Sequence, residues 1–102
     1  MESQALQEAR KDIQELRNTQ LEHARLMARF TLDTLLSSYE WNCAELLRLR
    51  RDSYSCVNED AKEELAQCII RQRARIATQK TEALRQAAAL GVDITERLDF
   101  SF

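Results

Sequence analysis

The sequence predicts an all-α protein, a long antiparallel helical hairpin or three-helix arrangement with a coiled-coil N-terminal segment, built to associate with further helices. Three observations carry this expectation. One Gly and no Pro in 102 residues leave almost nothing to punctuate turns or β-hairpins. Ala, Leu, Glu, Gln, Arg and Lys dominate, residues that lose little rotamer freedom in a helix. Apolar residues also recur at intervals of three and four, the period of a helix face.

The N-terminal segment reads as a coiled-coil seam. Leu6, Ala9, Ile13 and Leu16 alternate by three and four, and the register continues through Gln20, His23, Met27 and Phe30. The polar pair Gln20 and His23 weakens the seam, although a polar seam residue can also fix register and oligomer state. Leu6, Ile13, Leu16, Met27 and Phe30 are the expected intermolecular contacts.

From Phe30 to Leu49 the apolar pattern thickens. Leu32, Leu35, Leu36, Tyr39, Cys43, Leu46 and Leu47 cover a broad face that Trp41, Ala44 and Leu49 extend sideways, wider than one neighbouring helix covers. Ser37-Ser38-Tyr39-Glu40 has the form of a capping box with Leu36 and Trp41 as a staple, so the first helix, about residues 3–51, either runs through or restarts near residue 37. The absence of Gly and Pro nearby favours continuity.

The main connection falls between Arg51 and Asp60, where Asp52, Ser53, Tyr54, Ser55, Cys56, Val57 and Asn58 are turn and capping residues. A second helix starts at about Glu59, capped by Asp60 with Glu63 or one turn earlier by Asn58, and its acidic first turn suits the positive end of the helix dipole. It carries Leu65, Cys68, Ile69, Gln72, Ile76, Ala83, Ala87 and Leu90 along one line, and Ala66, Ile70, Ala74, Ala77, Leu84 and Ala88 along another. Gly91 after Leu90 is its terminator, with Val92 available for the accompanying contact. The expected hairpin core is Leu35, Leu36, Tyr39, Trp41, Leu46, Leu47, Leu65, Ile69 and Ile76.

Residues 1–91 thus form the helical domain and residues 92–102 a tail. Asp93 and Glu96 can cap one more turn, whereas Leu98, Phe100 and Phe102 alternate with polar residues as a short strand does. This tail either covers the open end of the helix pair or docks on a partner by strand addition.

Length adds an argument. A helix over residues 3–51 runs roughly 70 Å and one over 59–90 only about 48 Å. A folded-back second helix leaves the first third of the chain without a partner, and isolated helices of that length are marginal in water.

Chemistry-bearing residues are few. His23, the single histidine, has no cysteine beside it in sequence, and Cys43, Cys56 and Cys68 lack metal-ligand spacing. Cys43 and Cys68 fall on apolar faces, where free cysteine packs as a small hydrophobe, while Cys56 in the connection is the expected accessible thiol. No glycine loop for phosphates, nucleophile elbow or zinc-protease pattern is present. The expectation is a non-enzymatic protein–protein interaction or assembly module, a scaffold-like complex subunit or homodimer, with no cofactor and no metal.

The alternative is a nucleic-acid-associated helical module using Arg48, Arg50, Arg51, Arg71, Arg73 and Arg75. Against it stand 15 basic residues balanced by 17 acidic ones and a net charge of -2. Unpaired cysteine usage and an opening of Met1, Glu2, Ser3 and Gln4, unlike a signal peptide, point to an intracellular setting, cytoplasmic or nuclear. The longest apolar run, Ala87 to Leu90, is far below the roughly 20 residues a membrane span needs.

Overall fold

Three short side-chain and backbone devices set the helix boundaries. The Ser3 hydroxyl accepts from the Leu6 amide at 3.2 Å and opens the first helix, α1, Gln4–Ser55. Asn58 Oδ1 accepts from the Ala61 amide at 3.1 Å and opens the second, α2, Glu59–Leu90. Gly91 closes α2 in the left-handed conformation, φ 68°, with its amide on the Ala88 carbonyl and the Val92 amide on that of Ala87. That pair of bonds is a Schellman closure, and Val92 packs against the core as the accompanying apolar contact. A single further turn, α3, spans Thr95–Leu98. The structure, a computed structural model, describes residues 3–99.

The chain is all-helical, with two long helices packed as an extended hairpin of 85 × 22 × 14 Å and no strand among the described residues. α1 is continuous through Ser37 and Ser38, so no third long helix forms. The Ser37–Glu40 capping box starts no helix, and the Ser38 hydroxyl beside it accepts from Gln79 Nε2 on α2 at 3.0 Å. The connection is also shorter than the turn-forming composition of residues 51–60 predicts, only Cys56 to Asn58. Arg48 holds Asp52 at 2.9 Å, and the Ser55 hydroxyl bonds back to the Arg51 carbonyl at 3.2 Å, which satisfies these residues inside an extra helical turn.

Leu32, Leu36, Tyr39, Cys43 and Leu46 from α1 meet Ile76, Ala83 and Ala87 from α2, and Ile94 and Leu98 complete one core. Leu35, Ile69 and Leu90 pack on its edge, and Leu65 is half-buried near the connection. Ala83 and Ala87 are buried in the same core as Leu32, Leu36, Ile94 and Leu98.

Within this apolar seam lies a polar ladder. Gln72 Nε2 donates to the Asn42 carbonyl at 2.9 Å and to Asn42 Oδ1 at 3.0 Å, Asn42 Nδ2 donates to Gln79 Oε1 at 2.8 Å, and Gln79 reaches Ser38. Asn42 and Gln72 are buried, and no buried side-chain nitrogen or oxygen among the described residues lacks a partner. A buried amide ladder of this kind tolerates one helix register, because a shift by one turn would orphan several polar atoms at once.

The segment after Gly91 makes the one further turn that Asp93 and Glu96 allow, while the alternation of Leu98, Phe100 and Phe102 runs outside the described residues. Ile94 and Leu98 are four apart, so one helical turn puts both on α1, whereas a strand would have no edge to join. Asp93 Oδ1 accepts from the Thr95 amide at 2.9 Å and the Thr95 hydroxyl at 2.6 Å, which starts the turn and draws the Asp93 carboxyl below its usual range. Tyr39 then donates to the Leu98 carbonyl at 3.1 Å, and Arg97 bridges Glu40 at 2.7 Å and Asp33 at 3.5 Å.

Candidate interaction surface

α2 ends opposite Leu26: Arg25, Leu26 and Arg29 share a groove with Ala89, Leu90 and Val92. Beyond this level α1 continues alone over about 22 residues, roughly 33 Å. Every residue from Ser3 to Met27 is exposed. This includes Leu6, Ile13, Leu16 and Met27 of the predicted seam, and Phe30 just beyond is 67% exposed.

The direction of this stripe matters more than its exposure. At about 100° per residue, Met27, Phe30 and Trp41 lie roughly 140–180° around α1 from the mean direction of Leu32, Leu36, Tyr39, Cys43 and Leu46. These three thus lie away from the hairpin core, whereas on the same arithmetic Leu6 and Ile13 lie about 80–100° from its direction, on the part of α1 that α2 does not reach. A helix laid along the stripe leaves α2 in place.

Trp41 and Leu47, expected in the hairpin core, lie outside it. Trp41 is 71% exposed and Leu47 42% exposed. Treating Trp41 as the staple of a helix start put it beside Leu36, but in a continuous helix five residues separate them by about 140°. Trp41 instead prolongs the line of Phe30. Phe100 and Phe102, expected to dock with Leu98, lie outside the described residues, while Leu98 is buried against Tyr39.

The arginine clusters do not converge. Arg48, Arg71 and Arg75 line one groove with Trp41 and Glu45, whereas Arg73 lines the groove on the other side of the hairpin with Tyr39, Lys80 and Leu98. Arg48 is clamped by Glu45 and Asp52, and its guanidinium holds the Glu45 carboxyl below its ordinary range. Arg75 donates to Gln72 Oε1 at 3.3 Å. Arg50 is half-buried and Arg51 exposed beside the connection. Of the six arginines, Arg48 is the one that the described residues pair with carboxylates.

No family model, curated protein or solved structure matches this chain. The surface is thus read from its own residues.

His23 is exposed on the unaccompanied part of α1. Cys43 is buried, and burial raises its thiol pKa above the ordinary value, while Cys56 and Cys68 are half-buried and free. Among the described residues no group of three or more His, Cys, Asp or Glu is placed to share a metal ion. No helix among them is long and apolar enough to cross a membrane.

The ladder Asn42–Gln72–Gln79 escaped the sequence reading. Gln72 stood in an otherwise apolar line, which was the available signal. Asn42, between Trp41 and Cys43, gave none, because its partner lies 30 residues away.

Proposed function

We propose that this protein is a non-enzymatic helical assembly module that binds another helix along the apolar stripe of α1, Leu6, Ile13, Leu16, Met27 and Phe30. The observation that carries the reading is the unaccompanied N-terminal half of α1, whose exposed apolar residues keep coiled-coil spacing beyond the end of α2. Contiguous exposed apolar surface with that spacing is what a partner helix covers.

In this reading the hairpin is the rigid holder and the protruding helix the working part. The ladder and the α3 turn fix the hairpin, so the stripe is presented at a set angle. Its occupant supplies the contacts that an isolated helix of this length lacks.

The test is molar mass in solution by light scattering across concentration, with circular dichroism on the same samples. Association with high helicity, lost in a Leu16→Asp/Met27→Asp variant that keeps the hairpin folded, supports the reading. A fully helical monomer at low micromolar concentration, unaffected by those substitutions, overturns it.

A further inference from the structure

We infer that the occupant of the stripe is a second copy of this chain, lying parallel and in register. The inference rests on the assembly reading above and names its partner. With Leu6, Ile13, Gln20 and Met27 as the a positions and Ala9, Leu16, His23 and Phe30 as the d positions, Asp12 falls at g and Arg17 at the following e. Five residues is the spacing at which g of one helix meets e of a parallel partner. Asp12 then faces Arg17 of the second copy, and the two-fold axis makes the pair twice. Both residues are exposed and neither has an ion-pair partner among the described residues.

The polar layers agree. In the parallel register Gln20 meets Gln20 and His23 meets His23 of the second copy, so amide faces amide and imidazole faces imidazole, with no polar side chain set against an apolar one. An antiparallel pairing that aligns Leu6 with Phe30 places Gln20 against Leu16 and Arg17 against Arg17. The antiparallel register that matches Gln20 with His23 places Asp12 against Asp33 and Leu6 against Ser37. Only the parallel pairing satisfies the apolar, amide and charged positions together.

The hairpins do not obstruct it. α2 ends at the level of Leu26, so the seam from Leu6 to Leu26 has no part of the hairpin beside it, and further along α2 meets α1 through Ser38 and Asn42, about 60–120° around the helix from Phe30 and Trp41. The line continues past Thr34 and Ser37 to Trp41, the single tryptophan, which enters the interface at its C-terminal end.

The experiment uses the full chain, Asp12→Arg and Arg17→Glu variants, and their equimolar mixture, by light scattering with tryptophan emission and circular dichroism. Expected is a dimer whose Trp41 emission shifts to shorter wavelength on association, a rise in Kd of about tenfold for each variant alone, and recovery in the mixture, where both pairs become attractive again. A dimer indifferent to either variant, or tightened by Asp12→Arg as the register opposing Asp33 requires, overturns the parallel pairing and leaves the assembly reading standing. A monomer whose N-terminal segment is unfolded overturns the second copy and leaves the stripe to a different protein. A monomer helical throughout overturns both.

Discussion

Gln72 on α2 holds Asn42 on α1 through one amide nitrogen, at 2.9 Å to the carbonyl and 3.0 Å to the side-chain oxygen, inside an otherwise apolar interface. The bond locks the two helices against sliding. Burial makes it costly to break from one side, because the surviving partner keeps its desolvation penalty without its bond.

Asn42→Leu is therefore expected to destabilise the hairpin by about 1–3 kcal/mol, since it removes the side-chain acceptor of Gln72 Nε2 and the donor to Gln79 Oε1 inside a buried interface. Asn42→Leu/Gln72→Leu recovers much of that loss, as two apolar residues replace a paired amide. Chemical denaturation of the single and double variants checks this. A double variant as unstable as the sum of its singles would mean that shape, not hydrogen bonding, holds the site.

The Gly91 cap isolates a backbone effect. Its φ of 68° belongs to the left-handed region, and a Cβ there meets nothing within 4 Å. Gly91→Ala is expected to cost about 1 kcal/mol through conformation alone, and Gly91→Asn less, because Asn tolerates that region. Thermal denaturation of the pair gives the ranking.

Contacts of the α3 turn divide into charge and packing. Arg97 is partly exposed beside Glu40 and Asp33, so Arg97→Ala should cost no more than about 1 kcal/mol and respond to salt. Leu98→Ala removes a buried side chain and should cost about 2–3 kcal/mol with little response to salt. Urea midpoints at low and high salt separate the two.

Tyr39 gives the fold an alkaline limit. Burial, reinforced by the neighbouring Cys43 and Asp99, pushes its hydroxyl up to about 12 from an ordinary value of 10. The folded state thus keeps a proton that the unfolded chain releases, and the contribution is complete below pH 10 and lost as pH rises toward 12. Wild-type stability should fall through that window more steeply than that of Tyr39→Phe, which lacks the titrating group as well as the bond to Leu98. Parallel pH profiles for the two proteins would remove Tyr39 from the account.

Much of the fold is legible in the sequence because its signals are local. Asn58, the second of two candidate caps, and Gly91 mark the ends of the second helix, and the near absence of helix breakers leaves its interior intact. The misread parts depend on partners far along the chain. Trp41 looks like core until the continuous helix carries it round, largely exposed, to the rim of the groove it shares with Arg71 and Arg75. Asp93 marks the extra turn locally, whereas the burial of Ile94 and Leu98 against α1 depends on the hairpin being closed. The exposed stripe was legible as spacing, but that α2 stops at the level of Leu26 and leaves it uncovered follows only from the register of the hairpin.

The last expectation concerns how stability is distributed along α1. From Gln4 to about Leu26 the helix is held by its own backbone and by weak local bonds, such as Gln14 to Asn18 at 3.2 Å and the Thr19 hydroxyl to the Glu15 carbonyl at 3.0 Å. From Leu32 onward the same helix is packed against α2. A lone helix of some 22 residues is marginal in water, so its amides should open locally at little cost, while those around Leu36 and Cys43 open only with the whole hairpin. Hydrogen exchange at high dilution should show a step in protection near Met27. Raising the concentration should erase the step if the stripe becomes covered, and Leu16→Asp should restore it. Uniform protection along α1 at every concentration would mean that the N-terminal helix is stable unaided, and the need for a partner would disappear with it.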